Sequence, residues 1–296
     1  MKNSSISRER RNLLTGLAFI APNFIGFLLF SLIPVGASFV LSFTNWDLIS
    51  KPQFVGIDNF VGLFTADPLF WKVLWNTTRY CILAIPGMMI LALLLALLVN
   101  QELRGRVIYR FIYFLPVVTS TIAVSIIWTW LFNTDFGLIN QFLWIFKIPP
   151  VDWLMDENTA MMAIAAVGIW STAGYNMTLY LAGLQAIPRQ LYEACEIDGG
   201  GVLRKFISVT IPMLTPTTFF VLVMSIINSF QVFDYIYMMT NGAPNNTTKS
   251  IVCYIYDNGF QFFKMGNASA ISWVLFIVVF SLTYIQFRMQ AKWVEY

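Results

Sequence analysis

The chain has 296 residues and a net charge of +3; 58% of the residues are hydrophobic, 11% are charged, and histidine is absent. Soluble domains contain about 45–50% apolar residues, so this composition excludes an ordinary soluble protein. The lack of histidine excludes histidine-ligated metals and the nucleophile–histidine pairs that many hydrolases use.

Six long segments contain no Asp, Glu, Lys or Arg: residues 12–46, 80–101, 111–134, 158–188, 206–233 and 265–287. Each is long enough for a helix across about 30 Å of hydrocarbon, which takes about 20 residues. Buried helices of a soluble core are the alternative, but these run roughly 8–20 residues and carry a polar face. The segments therefore predict an all-α integral membrane protein. Its six transmembrane helices are expected at approximately 13–41, 76–100, 109–132, 159–184, 213–236 and 267–288.

The first apolar segment follows a basic tail at residues 1–11, as a secretory signal would. However, a signal core has only about 7–15 residues, and this segment is much longer. Pro22 and Pro34 lie within it and predict a kinked or two-part helix. We therefore predict an uncleaved first span, a transmembrane domain over residues 12–290 and a short C-terminal tail at 291–296.

Charge is distributed unequally between the two sides of the predicted membrane domain. Six spans place both termini on one side, together with the loops at residues 101–110 and 185–212. That side holds 12 of the 18 basic residues and six of the 15 acidic ones. Because cytoplasmic loops carry the excess of Lys and Arg, we predict that both termini and these loops are cytoplasmic.

The predicted outer loops contain one clear helix start and one irregular stretch. Asp67 and Pro68 predict the beginning of a helix, since a capping carboxylate precedes a proline at the first helical position. The loop at residues 237–268 opens with TNGAPNNTT, which has turn residues but no periodic pattern. The opening of this loop is therefore expected to consist of turns.

The longest predicted cytoplasmic loop contains the acidic stretch YEACEIDGGG, residues 192–201. Pro188 predicts the start of a short helix that reaches Ile197, and the glycines at 199–201 predict its end. A second helix follows from Val202. An interfacial connector is the alternative, but carboxylates are unfavourable beside an anionic inner leaflet. The pattern favours an acidic elbow that fits a basic cleft on a soluble protein.

The segment EACEIDGGGVLRKFISVTIPMLTP resembles the EAA loop of ABC-importer membrane subunits. That pattern is Glu-Ala-Ala, then Asp-Gly, an aromatic residue and an apolar–Pro pair; the matching positions are Glu193, Ala194, Cys195, Asp198, Gly199, Phe206, Ile211 and Pro212. Cys195 replaces the usual second alanine, and Gly200 replaces the alanine often found after Asp-Gly. The resemblance implies that this loop, between spans four and five, holds a coupling helix that inserts into a groove of an ATP-hydrolysing subunit.

Two further segments, FVGIDNFVGLFTADPLFWKVLWNTTRY and FQVFDYIYMMTNGAPNNTTKSIVCYIYDNGF, are similar to those of carbohydrate-uptake permeases, relatives of the larger maltose-transporter membrane subunit. The resemblance implies half of a sugar pathway, for an oligosaccharide or glycoside, in a bacterial or archaeal cytoplasmic (inner) membrane. The implied partners are a second homologous permease, two ATPase subunits and an extracytoplasmic solute-binding protein. A homodimeric permease pair is the alternative stoichiometry.

Motifs for independent chemistry are missing from the sequence. No Gly-x-x-x-x-Gly-Lys-Ser/Thr phosphate loop occurs, so we expect no ATPase site and no enzymatic activity in this chain. ATP and Mg would bind the partner ATPase. The scattered cysteines, Cys81, Cys195 and Cys253, indicate neither disulfides nor a metal site. We expect no cofactor, no metal and no nucleic-acid partner.

A sugar site needs hydrogen-bonding side chains and aromatic faces within an apolar enclosure. The candidates are Ser125 and Trp128 in span three, Trp170, Tyr175, Asn176 and Tyr180 in span four, and Asn228, Ser229, Gln231 and Asp234 in span five. Asn228 and Gln231 are preferred, because residues three apart share a helix face. Polar contacts between packed helices are the alternative for each candidate. Asp234 would also suit an ion-coupled transporter or channel, the main alternative function.

Overall fold

The computed structural model describes residues 2–101 and 105–290, with side chains from residue 10 onward. The elements in chain order are α1 (Lys2–Phe27), a π-helical turn (Leu28–Leu32), α2 (Ile33–Leu41), β1 (Thr44–Asn45), β2 (Gln53–Phe54), α3 (Asp58–Thr65), α4 (Pro68–Asn100), α5 (Arg106–Val118), α6 (Thr121–Leu131), α7 (Leu138–Ile145), α8 (Ala160–Ala186), α9 (Arg189–Ile197), α10 (Val202–Lys205), a second π turn (Phe206–Thr210), α11 (Ile211–Met213), α12 (Thr215–Phe230), α13 (Asp234–Met239), α14 (Ile251–Tyr256), a third π turn (Asp257–Gln261) and α15 (Met265–Gln290). The predicted tail at 291–296 lies outside the described residues.

The described residues are mostly helical, and three helices are long and apolar enough to cross a membrane: Arg10–Leu41, Pro68–Asn100 and Met265–Gln290. Two helix pairs pass the same test together but are bent, by 97° between α5 and α6 and by 62° between Val202–Met213 and α12. Helix α8 is also long, at 27 residues, and it includes polar side chains such as Asn176. The composition and these helices fit a multi-pass membrane protein.

The first span, Arg10–Leu41, is one helical run that a π turn divides into two parts. The run passes from α1 through the π turn into α2, and the Ile33 N–H bonds to the Leu28 carbonyl across the wider turn. Pro34 then sits in the first turn of α2, where the missing N–H is tolerated. The helix also extends to Lys2, so it includes part of the predicted N-terminal tail.

Two of the predicted spans are interrupted. The predicted span at 109–132 breaks at Thr119, which is extended, three residues after Pro116 removes a backbone donor from the end of α5. The predicted span at 213–236 breaks between α12 and α13, at residues 231–233. There the Ser250 hydroxyl donates to the freed Val232 carbonyl at 2.8 Å. Both breaks therefore leave backbone groups that other parts of the protein must satisfy.

Helix α8 is the central element, and it packs against α4, α5, α12 and α13. Small residues allow these helices to approach closely, as is usual between membrane helices. A Cβ atom added at Gly174 would lie 2.1 Å from the Tyr113 carbonyl oxygen on α5, so only glycine fits there. The contact between α5 and α8 therefore depends on this glycine.

The N-terminal end of α4 holds the segment that follows α13. Asp67 caps α4 by accepting from the Leu69 and Phe70 N–H groups, as its position before Pro68 predicts. The Asn76 amide donates to the Asn246 carbonyl at 2.7 Å and to the Lys249 carbonyl at 3.1 Å. These bonds fix the TNGAPNNTT stretch against the membrane domain.

The opening of the loop at 237–268 consists of turns, as its sequence predicts, whereas its second half is helical. Residues 251–261 form α14 and the π turn after it, and the Ser250 side chain caps α14 by accepting from the Cys253 N–H. Lys249 and Asp257 form a buried ion pair with 2.6 Å between nitrogen and oxygen. Charged residues usually mark the solvent-exposed face of a helix, but here the charged pair is buried. The spacing of charged and apolar residues therefore does not predict this helix.

We expect Gly174→Ala to lower the stability of the protein by about 1–3 kcal/mol, because the added methyl group overpacks the α5–α8 contact. The measurement is the thermal unfolding midpoint of the purified protein in detergent. Gly36→Ala is the matched control, since Gly36 is also helical but has nothing within 4 Å of an added Cβ. Equal midpoints for both variants would contradict the close contact.

Candidate functional site

A cavity of about 420 Å³ lies where α4, α5, α8 and α12 meet at the two helix breaks. Six of the predicted sugar-binding residues line it: Tyr175, Asn176, Asn228, Ser229, Gln231 and Asp234. Asn228 and Asp234 are exposed to this space, whereas Asn176 is largely buried. Binding sites in membrane transporters are commonly formed by discontinuous helices, because unwound backbone is tolerated only where it lines a cavity or is buried.

The two broken spans are joined across the cavity by side chains. The Thr121 hydroxyl, at the first residue of α6, donates to Asp234 Oδ2 at 3.0 Å. Asp234 is itself the first residue of α13, so both helices that restart after a break begin at this contact. The carboxylate thus lies beside two helix N-termini, where backbone N–H groups favour negative charge.

The cavity is also lined by polar side chains that the sequence analysis did not select as candidates. They are Tyr80, Thr119, Ser171, Thr172, Ser225 and Tyr235. The hydroxyls of Ser225 and Ser229 are buried and have no hydrogen-bond partner among the described residues. A buried hydroxyl without a partner is costly, so a polar ligand that reached either oxygen would offset that cost. Helical spacing was the missed signal, since Ser225 lies four residues before Ser229.

The other four candidates do not line this cavity. Trp128 and Trp170 contact each other edge to face, 5.5 Å between ring centroids. They line a separate, apolar cavity of about 530 Å³ beside α5 and α6. Ser125 is buried and donates to the Thr121 carbonyl at 2.7 Å. Tyr180 is 1% exposed and packs in the hydrophobic cluster of α4 and α8.

The loop after α8 forms a helical elbow, residues 188–211, as the sequence predicts. Helix α9 begins after Pro188 and ends at Ile197. Gly199 has φ +77°, a left-handed conformation that glycine adopts without strain. The Gly200 N–H then bonds to the Cys195 carbonyl at 2.8 Å, which closes the helix end. The second arm starts at Val202 and continues through a π turn to Met213.

The two arms of the elbow are fixed to each other. The Tyr192 and Thr210 hydroxyls share a hydrogen bond of 3.0 Å, a contact that the sequence analysis did not identify. Near the tip, Lys205 and Glu196 form an ion pair at 2.8 Å. The hydrogen bond from Lys205 lowers the pKa of Glu196, whose carboxylate is otherwise in solvent. The elbow is therefore a stiff unit rather than a loose connector.

The tip of the elbow carries apolar side chains in the open. Ile197 and Val202 are each 87% exposed, and Leu203 is 70% exposed. Glu193, Ala194 and Asp198 are exposed next to them, while Cys195 and Phe206 are half-buried. Pro212 is half-buried where the second arm meets α12. Exposed apolar residues ringed by charges are typical of a surface that another protein covers.

The departures from the EAA pattern, Cys195 and Gly200, contact each other. A Cβ atom at Gly200 would lie 2.5 Å from Cys195 Sγ and 2.6 Å from the Cys195 carbonyl oxygen. The thiol therefore occupies the space of the methyl group that an alanine at 200 would add. In residues 10–101 and 105–290, no three Cys, Asp or Glu side chains gather as a metal site would require.

Known proteins resemble this chain along almost its full length. The family of binding-protein-dependent transport system inner membrane components matches residues 88–293. A probable ABC transporter permease protein, YesP of Bacillus subtilis (strain 168), is 37% identical over 291 residues, covering 97% of this chain and 94% of that protein. The arabinooligosaccharides transport system permease protein AraP of the same organism is 35% identical, covering 93% of this chain and 88% of its own.

A solved structure has the same fold. It is a bacterial alginate ABC transporter in complex with an alginate pentasaccharide-bound periplasmic protein, and one of its chains is 25% identical. The TM-score is 0.85, and the match covers 96% of each chain. The ion-coupled alternative gains no support from any of these relatives.

Proposed function

The chain belongs to the family of binding-protein-dependent transport system inner membrane components, and on this premise we propose that it forms half of the pathway by which an ATP-driven importer carries an oligosaccharide or glycoside. The observation that carries the proposal is the polar cavity at the two helix breaks, which six sugar-binding candidates line. The chain acts as a transport subunit, and ATP with Mg binds a separate ATPase rather than this protein.

The topology that we propose has six spans with both termini in the cytoplasm. Three long helices, the bent pair of α5 and α6, α8 and α12 supply the six spans, and Val202–Met213, which precedes α12, belongs to the elbow. The excess of Lys and Arg on one side supports this orientation. The elbow, including the EAA loop at 185–212, then lies on the cytoplasmic side of a bacterial or archaeal cytoplasmic membrane, between spans four and five.

The elbow is proposed to dock into a groove of the ATPase. Its exposed apolar tip at Ile197, Val202 and Leu203 would lose water on docking, and burial of apolar surface favours association. Glu193 and Asp198 flank the tip and suit a groove rimmed by basic residues. The sharp turn at Gly199 keeps both arms in place, so that a push at the tip moves the whole elbow.

The cavity is proposed to receive the sugar. Hydroxyl and amide groups from α8 and α12 can bond to sugar hydroxyls, and the rings of Tyr175, Phe233 and Tyr235 offer apolar faces. The relatives named for arabino-oligosaccharide and alginate transport support a sugar as the ligand. A solute-binding protein would deliver it from outside, and a second homologous permease would complete the pathway, with two ATPase copies below.

We expect Gly199→Val to abolish ATP-driven sugar uptake while the protein still inserts into the membrane. A β-branched residue is strained at φ +77°, so the two arms of the elbow would change their angle. The measurement is uptake into proteoliposomes that contain the complete transporter. Gly201→Ala is the control, because Gly201 has φ −74° and open space around an added Cβ. Full uptake with Gly199→Val would refute the coupling role.

We expect the double variant Asn228→Ala plus Gln231→Ala to reduce sugar uptake about tenfold, since a lost hydrogen bond to a polar ligand costs about 1 kcal/mol or slightly more. Basal ATP hydrolysis by the complex should be retained, because the elbow is unchanged. Gln53→Ala plus Gln141→Ala removes two exposed amides elsewhere and is the control. If the double variant transports sugar as well as the control does, the cavity is not the sugar site.

A further inference from the structure

The cavity has one charged side chain in its lining, and it is acidic. Asp234 is exposed to the cavity, and no Lys or Arg is among the lining residues. The ion pairs found in the described residues are Lys205–Glu196 and Lys249–Asp257, and neither includes Asp234. Asp234 therefore forms no ion pair within the part of the chain that the structure describes.

The Asp234 carboxylate also occupies the N-terminus of α6, where an anionic ligand could otherwise bind. Helix α6 has 11 residues and starts at Thr121, and a helix N-terminus attracts anions through its free N–H groups. The Thr121 hydroxyl is bonded to Asp234 Oδ2 at 3.0 Å, so the protein's own carboxylate sits at this end. The partial charge of a helix end is about +0.5, which leaves the full charge of a carboxylate only partly offset.

We propose that Asp234 makes the cavity electronegative and thereby selects uncharged oligosaccharides against anionic ones such as uronates, phosphosugars and sulfosugars. The inference rests on the proposed function, because it specifies the class of sugar that the same cavity takes. A like charge within a few ångströms is strongly unfavourable where low-dielectric walls limit screening. The carboxylate rejects an anion by repulsion, while its oxygens still accept hydrogen bonds from sugar hydroxyls.

The test measures the electrostatic potential of the cavity with charged thiol reagents. Asn228→Cys introduces a thiol at an exposed position of the lining. The background variant is Cys195→Ala, which restores the alanine of the EAA pattern, and the native thiols Cys81 and Cys253 are buried. The assembled transporter in nanodiscs is treated with one of two methanethiosulfonate reagents, a cationic one that carries a trimethylammonium group or an anionic one that carries a sulfonate. The rate at which the introduced thiol reacts is measured for each reagent. Each rate is divided by the rate for a free thiol in solution.

We expect the cation-to-anion rate ratio at the introduced thiol to exceed that of a free thiol about tenfold at low salt, and to fall as ionic strength rises. Asp234→Asn should remove most of this preference. Glu157→Gln is the matched control, since Glu157 is an exposed carboxylate that does not line the cavity. This control should leave the ratio unchanged.

Two results would overturn the proposal: a ratio near that of the free thiol with Asp234 present, or the same high ratio after Asp234→Asn. The salt dependence needs no substitution at Asp234, so a folding defect in Asp234→Asn cannot hide the answer. The rates are measured without sugar or ATP. Sugar uptake is measured separately with the complex that keeps the native Asn228. A negative potential together with no uptake by that complex would refute the proposed function alone, and uptake of a neutral sugar through an uncharged cavity would refute only this inference.

Discussion

The structure depends on one constraint: within a membrane, every backbone group that leaves a helix must find a partner in the protein or in an aqueous cavity. The two breaks in the membrane helices, at Thr119 and at residues 231–233, meet this constraint together. They lie side by side, Ser250 bonds one freed carbonyl, and Thr121 and Asp234 join the restarting helices. The polar cavity is the remaining space between them. Its place in the fold therefore follows from where the helices stop.

Close packing supports the breaks. Helix α8 is continuous where it passes the two breaks, and it contacts α4, α5, α12 and α13. The interrupted spans therefore pack against an uninterrupted helix. Glycine at 174 brings α5 against α8 without a gap. Because that contact is rigid, the cavity walls keep their spacing although two of the helices that form them are discontinuous. A cavity with fixed walls can present its hydroxyls at set distances, which a loose bundle could not do.

Sequence patterns predict the class of protein, the elbow and much of the cavity, because each rests on local chemistry. Each signal determines the structure of its own segment. Examples are the long uncharged segments, Asp67 before Pro68, and the glycines that follow the helix ending at Ile197. The breaks were not predicted, since an apolar run looks continuous whether or not its helix stops. Tertiary contacts also decided which polar residues meet: Asn228 and Tyr175 line the cavity, whereas Tyr180, five residues further along α8, packs in the core. Hydrophobicity could not separate those two tyrosines.

The elbow and the cavity are linked by the same two helices. Helix α8 carries Ser171, Tyr175 and Asn176 at the cavity and ends at Ala186, just before the elbow; α12 follows the elbow and ends at Phe230, beside the cavity. The 16 residues of α12 span about 24 Å at 1.5 Å per residue. The hydrogen bond between Tyr192 and Thr210 joins the two arms, so we expect a displacement of the elbow to move both helices together. Only Ile187 and Pro188 separate α8 from α9, and the second arm meets α12 at a 62° bend, so the route from the tip to the cavity runs almost entirely through helices.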